Sequence, residues 1–138
     1  MAIIHYLEDL SGSNNTLFPG DLSERNKARS LQIYSNSLIG KELREVIFEK
    51  RNKPEQEWDI ERINEGELGW RRCLDWLEQQ LESTDHFLAS GFSVADAALL
   101  PRFALAEKYG VGVDQRHPRL HDWYKHQQQG NRFSVIEI

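Results

Sequence analysis

The sequence predicts an all-α protein of five or more helices. Three observations carry this. Apolar residues recur in steps of three and four through several separate stretches. A capping-box pattern, Ser93-Val94-Ala95-Asp96, stands directly before the most apolar of them. No pair of alternating apolar segments reads as a strand hairpin.

The first element is a short helix from Ala2 to Leu10. Ile3, Tyr6, Leu7 and Leu10 share one helical face. The run Ser11-Gly12-Ser13-Asn14-Asn15 stops it. Leu17-Phe18 before Pro19-Gly20 reads as a linker pinned to a surface by two large apolar side chains.

A long helix begins near Asp21 or Ser23, either of which suits an N-cap. Its apolar stripe runs through Leu31, Tyr34 and Leu38, then Ile39, Leu43, Val46 and Ile47, with a slight drift. Arg51-Asn52-Lys53-Pro54 ends it, because cations suit a helix C-terminus and proline cannot continue the ladder.

The next helix starts around Asp59. Gly66 and Gly69 weaken its first half, each costing about 1 kcal/mol against alanine. Trp70, Leu74, Leu77 and Leu81 make its second half firm, and Cys73 and Trp76 widen the apolar face.

Phe92 precedes the capping box as a staple residue, opposite Ala97. The helix that follows, Val94 to about Tyr109, is apolar nearly all round, which places it at the centre of a core. Pro101 should kink it and leave a backbone acceptor for another group to satisfy. Gly110 suits the C′ position. Pro118 opens a last helix whose inward face is Leu120, Trp123 and Tyr124, and residues 133–138 pack back as a strip or short turn.

The chain has 138 residues, the size of one domain. Charged residues make up 28%, and the net charge of −5 argues against nucleic acid or an anionic membrane as partner. No apolar run approaches the ~20 residues of a membrane span, and the start has no signal-peptide shape. The single cysteine, Cys73, excludes an internal disulfide and fits a reducing, cytoplasmic setting.

The search for chemistry is mostly negative. No phosphate loop, His-Glu-x-x-His, Cys-x-x-Cys or nucleophile elbow is present. His117 and His121 are four apart, but no third ligand accompanies them, so no metal site is assigned. Cys73 lies on an apolar face, where a thiol is inert. The four tryptophans read as core, and the Ser93/Asp96 pair as a structural cap. No catalytic residue emerges.

The segment Phe87-Leu88-Ala89-Ser90-Gly91-Phe92-Ser93-Val94-Ala95-Asp96-Ala97 resembles the "F-L-x-G-x-x-[ST]-x-A-D" segment of glutathione transferases. Leu100-Pro101 looks like the proline-containing central helix of zeta-like and bacterial members. His117-Pro118-Arg119-Leu120 and Trp123-Tyr124 resemble that family's "[FY]-P-x-[LI]-x-x-W" segment. Ala2-Ile3-Ile4-His5-Tyr6-Leu7-Glu8 is similar to the start of the last helix of its thioredoxin-like domain.

The resemblance implies three parts. Residues 1–12 are the remnant of that last thioredoxin-like helix, 13–22 the linker, and 23–138 the all-helical C-terminal domain. It implies further that the glutathione site lies in a half this chain lacks, so the chain has no cofactor of its own, glutathione being the substrate of the complete enzyme. Met1 would then mark either a natural start or a truncation. The helical half lines the site of the hydrophobic co-substrate, and Tyr34, Leu38, Lys41 and Arg102 are the candidate lining residues here.

Two other functions fit the residues: a non-catalytic helical protein-interaction module, and a carrier of a small hydrophobic ligand. In the transferase reading the sheet under the first helix is missing, so Ile3, Tyr6, Leu7 and Leu10 predict oligomerisation, cover by a protein partner, or a frayed N-terminus.

Overall fold

The computed structural model describes residues 2–12 and 16–136. Met1, positions 13–15 of the expected linker and positions 137–138 of the tail lie outside the described residues.

Six α-helices are present among the described residues: α1 (Ala2–Ser11), α2 (Leu22–Tyr34), α3 (Gly40–Asn52), α4 (Ile60–Glu78), α5 (Val94–Lys108) and α6 (Pro118–Gln128). The only extended pairing among them is an isolated bridge between Leu88 and Gly91. The all-α expectation holds.

The expected single long helix is α2 and α3 joined by a π-helical turn, Ser35–Ile39. Asp21, not Ser23, caps it: its carboxylate accepts from Glu24 N, and Glu24 reaches back to Asp21 N. The π turn has a geometric cause. Buried residues Leu31, Ser35, Ile39, Leu43 and Ile47 are spaced by four throughout. On an ideal helix each such step rotates the stripe by about 40°. One wider turn absorbs that drift and keeps the row facing the core. This also corrects the sequence-derived stripe: Leu38 turns outward and is 41% exposed, Tyr34 is half-buried, and Ser35 and Ile39 occupy the interior.

Helix α3 ends at Asn52, with Lys53 extended before Pro54. Helix α4 is capped by Asp59, whose side chain accepts from Arg62 N. Gly66 does not weaken the assembly but permits it. A Cβ on Gly66 would lie 2.8 Å from Val46 Cγ2 and 3.1 Å from the Glu42 carbonyl, so the bare backbone lets α4 lie directly on α3. Around their far ends Glu49, itself buried, accepts from Lys53 (2.8 Å), Arg62 (2.9 Å) and Asp59 N (3.2 Å).

Helix α5 is the centre of the core. Trp70, Phe103, Trp123 and Phe87 form a chain of edge-to-face aromatic contacts at centroid distances of 5.0–5.3 Å. Pro101 sits inside α5, and the Ser35 hydroxyl donates to the Ala98 carbonyl at 2.8 Å beside it. Gly110 has φ 78°, and Val111 N closes the C-terminal turn on Ala106 O at 2.8 Å.

The linker is pinned as expected. Phe18 is buried against Ala28, Leu88 and Val94, and Val94 N donates to Leu17 O at 2.8 Å. Glu8 of α1 accepts from Leu17 N at 2.9 Å, and His5 stacks on Phe18. The opposite face of α1 is open: Ile3, Tyr6, Leu7 and Leu10 are 56–72% exposed.

Candidate functional site

An apolar groove lies between α3 and α5 and has a volume of about 240 Å³. Leu43 and Ile47, both buried, form its floor, with Phe48 and Leu105 as walls. Arg44, Arg51 and Arg102 complete the lining, which contains no carboxylate. The helices place them locally. Arg44, Phe48 and Arg51 are spaced by four and three, so they share one face of α3. Arg102 follows Pro101 on α5 and lies within 3.5 Å of Asn36 in the π turn.

The candidate lining residues do not gather in one place. Arg102 lines this groove. Lys41 lines a different one, between α3 and α4, beside Glu42, Glu45 and Arg72. Leu38 is exposed on the π turn and borders neither. Tyr34 packs on Trp76 at 4.3 Å, and its hydroxyl is hydrogen-bonded to Cys73; burial pushes the phenol pKa up, helped by that thiol. Cys73 is itself buried, and burial pushes its thiol up as well, which keeps it in the unreactive form.

Sequence reasoning missed Arg44, Phe48 and Arg51. Their shared helical face was a readable signal; that the face looks onto Arg102 was not.

The capping box is built as expected, and Asp96 does more than cap. Ser93 Oγ accepts from Ala95 N at 3.2 Å, and Asp96 Oδ2 accepts from Ser93 N at 2.9 Å. Oδ1 accepts from Trp123 Nε1 at 3.0 Å and Phe87 N at 3.2 Å. The carboxylate is fully buried; burial pushes its pKa up, and these donors hold it back. All its acceptor capacity is spent inside the fold, so it has no bond left for a substrate.

His117 is buried at the start of α6, with Nε2 2.7 Å from Asp75. His121 lies near Gln115 instead. No group of three metal-binding side chains occurs among the described residues. No helix there is long and apolar enough to cross a membrane.

The fold is a helical bundle wrapped on a capped, proline-containing central helix, with an apolar groove between α3 and α5. Residues 60–126 match the family model described as "Glutathione S-transferase, C-terminal domain". The chain has the all-helical fold of a glutathione S-transferase C-terminal domain.

Solved structures agree on the fold. A glutathione S-transferase from Rhodospirillum rubrum F11 superposes with a TM-score of 0.82 at 20% identity, covering 98% of this chain and 62% of that one. Ure2p in complex with S-hexylglutathione gives a TM-score of 0.80 at 15% identity, over 98% of this chain and 66% of that one. The beta-etherase LigF from Sphingobium sp. strain SYK-6 gives 0.74 at 18% identity, over 98% and 70%. The chain thus spans less than two-thirds of the length of the first two. No curated protein matches the sequence.

Proposed function

We propose that this chain is the helical half of a glutathione transferase of the cytoplasm. It would supply the apolar wall for an electrophilic co-substrate, while a thioredoxin-like half holds glutathione. The observation that carries this reading is the double face of α1. One side is seated through Ile4 and His5 on the Phe18 cluster. The other side presents Ile3, Tyr6, Leu7 and Leu10 to solvent, as a helix does when a second layer belongs on it. Ure2p, which shares the fold, was solved with glutathione and with S-hexylglutathione, which supports the assignment of chemistry.

In this reading the glutathione half lowers the thiol pKa by a hydrogen bond, and the thiolate attacks the electrophile. The helical half contributes shape and desolvation. Among the candidate residues, Arg102 would contact the co-substrate in the α3–α5 groove, and Leu38 would act only from the exposed π turn. Lys41 would act only at the second groove, and Tyr34 through its support of Trp76.

The test joins this chain through α1 to the glutathione-binding half of the Rhodospirillum rubrum enzyme. Conjugation of chlorodinitrobenzene above the rate of that half alone is the expected result. A folded chimera with no added activity would refute the reading.

The same open face of α1 favours a second reading, a non-catalytic interaction module closed by a second copy or a protein partner. Light scattering on the isolated chain separates the two conditions of α1: a homodimer that dissociates on Leu7→Lys supports self-association through this face. A monomer unchanged by that substitution, with no partner recovered, counts against the module.

A further inference from the structure

We propose that His86 and His126 form a binding site for a divalent transition-metal ion of the zinc and copper class. The site lies outside the α3–α5 groove and does not depend on a second half.

Two imidazoles reach one hollow from different segments. His86 comes from the connection between α4 and α5, and His126 from the last turn of α6. Both line a hollow of about 450 Å³, with Gln127, Gly130, Asn131 and Arg132 around them. Their ring centres are 6.4 Å apart and their planes cross at 87°. Two rings on one ion, with metal–nitrogen bonds of about 2.0–2.1 Å, have centres about 5 Å apart. His126 is exposed, so rotation of its side chain closes the difference without moving the backbone.

The outer contacts select the nitrogen that binds. Nδ1 of His126 lies 3.5 Å from Asp85 Oδ1, and Nδ1 of His86 lies 3.9 Å from Asp96 Oδ1, an electrostatic contact longer than a hydrogen bond. Each carboxylate draws the ring proton to the nitrogen beside it, which leaves the lone pair on Nε2. Gln127 Nε2 also stands 3.5 Å from His86 Nδ1, but its short bond, 2.6 Å, goes to the Asp85 carbonyl. A carboxylate behind each imidazole is the arrangement that orients a metal-bound histidine and raises its basicity.

The charge balance agrees. Asp85 and Asp96 stand against one cation in the lining, Arg132, whose guanidinium lies over the Phe92 ring at 4.3 Å. Imidazole nitrogen suits zinc, copper and nickel, whereas magnesium and calcium take oxygen ligands. Two protein ligands leave the remaining positions to water, which an exposed hollow supplies.

The test titrates zinc chloride into the chelator-stripped 138-residue chain by calorimetry. One ion per chain should bind, and the melting temperature should rise with zinc, because the ion binds the folded state. Asp85→Asn keeps both imidazoles and should weaken binding about tenfold. His126→Gln removes a ligand and should weaken it further. His121→Gln, on the same helix, should change nothing. With copper(II) in place of zinc, electron paramagnetic resonance should show two nitrogen ligands.

No binding, equally tight binding in folded His126→Gln, or a copper spectrum with fewer than two nitrogens would overturn the proposal. So would a loss in His121→Gln as large as that in His126→Gln.

Discussion

The Asp96 carboxylate accepts from the Trp123 indole nitrogen at 3.0 Å, and this bond ties the start of the central helix to the middle of the last one. The same carboxylate holds Ser93 N and Phe87 N, so one buried side chain organises three segments. Trp123→Phe keeps the ring and removes one donor, and should cost about 1–3 kcal/mol. Asp96→Ala removes the cap and strands every donor, and should cost more than about 3 kcal/mol. Urea denaturation of both variants gives the comparison; a smaller loss for Asp96→Ala than for Trp123→Phe would contradict this role.

Gly66 and Gly69 should respond in opposite ways to alanine. The Cβ at position 66 meets Val46 and the Glu42 backbone, neither of which can move without separating α3 from α4. Gly66→Ala should therefore destabilise by about 1–3 kcal/mol, despite alanine's better helix propensity. At Gly69 the obstacle is the flexible Glu42 side chain, which can swing aside. Gly69→Ala should be neutral or stabilising by up to about 1 kcal/mol. Thermal melts that show the same loss at both sites would rule out the contact argument.

Glu49 should give the fold a component of acid sensitivity. Its hydrogen bond from Lys53, the Asp59 amide and the Arg62 charge hold its pKa below the ordinary carboxylate range. The folded state thus binds that proton less readily than the unfolded one. The stabilisation is complete above the unfolded value and is lost as pH falls through the folded one. Glu49→Gln should lower stability at neutral pH and flatten its dependence on pH in the acid range. Melting temperatures measured from neutral to acid pH test this, and parallel curves for the two proteins would refute it.

Cys73 should be silent toward thiol reagents in the native protein. It is buried and bonded to Tyr34, and burial raises its pKa. An aromatic disulfide reagent should titrate no thiol in buffer and one in denaturant; rapid native labelling would show that the Tyr34–Trp76 cover opens.

Much of the architecture was legible because it is local. Ser93 and Asp96 announce the central helix and Gly110 ends it, Pro54 ends α3, and Leu17-Phe18 anchors the linker. The open face of α1 was legible too, since Ile3, Tyr6, Leu7 and Leu10 form one stripe too apolar for solvent.

The candidate site was less so. Leu38 carries the right residue type at helical spacing, but it sits on the π turn and faces outward, while Tyr34 packs half-buried against the core. A spacing of four admits both a drifting α-helix and a wider turn, and only the helices packed against the row select between them.

The order of helices, their caps and the all-α class were decided by the sequence itself, because caps and periodicity act within a few residues. Three things needed the tertiary structure: the convergence of Arg44, Arg51 and Arg102 on one groove, the bond between Asp96 and Trp123, and the seating of Gly66 on α3. Each joins residues separated by tens of positions. The distance between such residues follows from how the helices cross, and no local spacing encodes that.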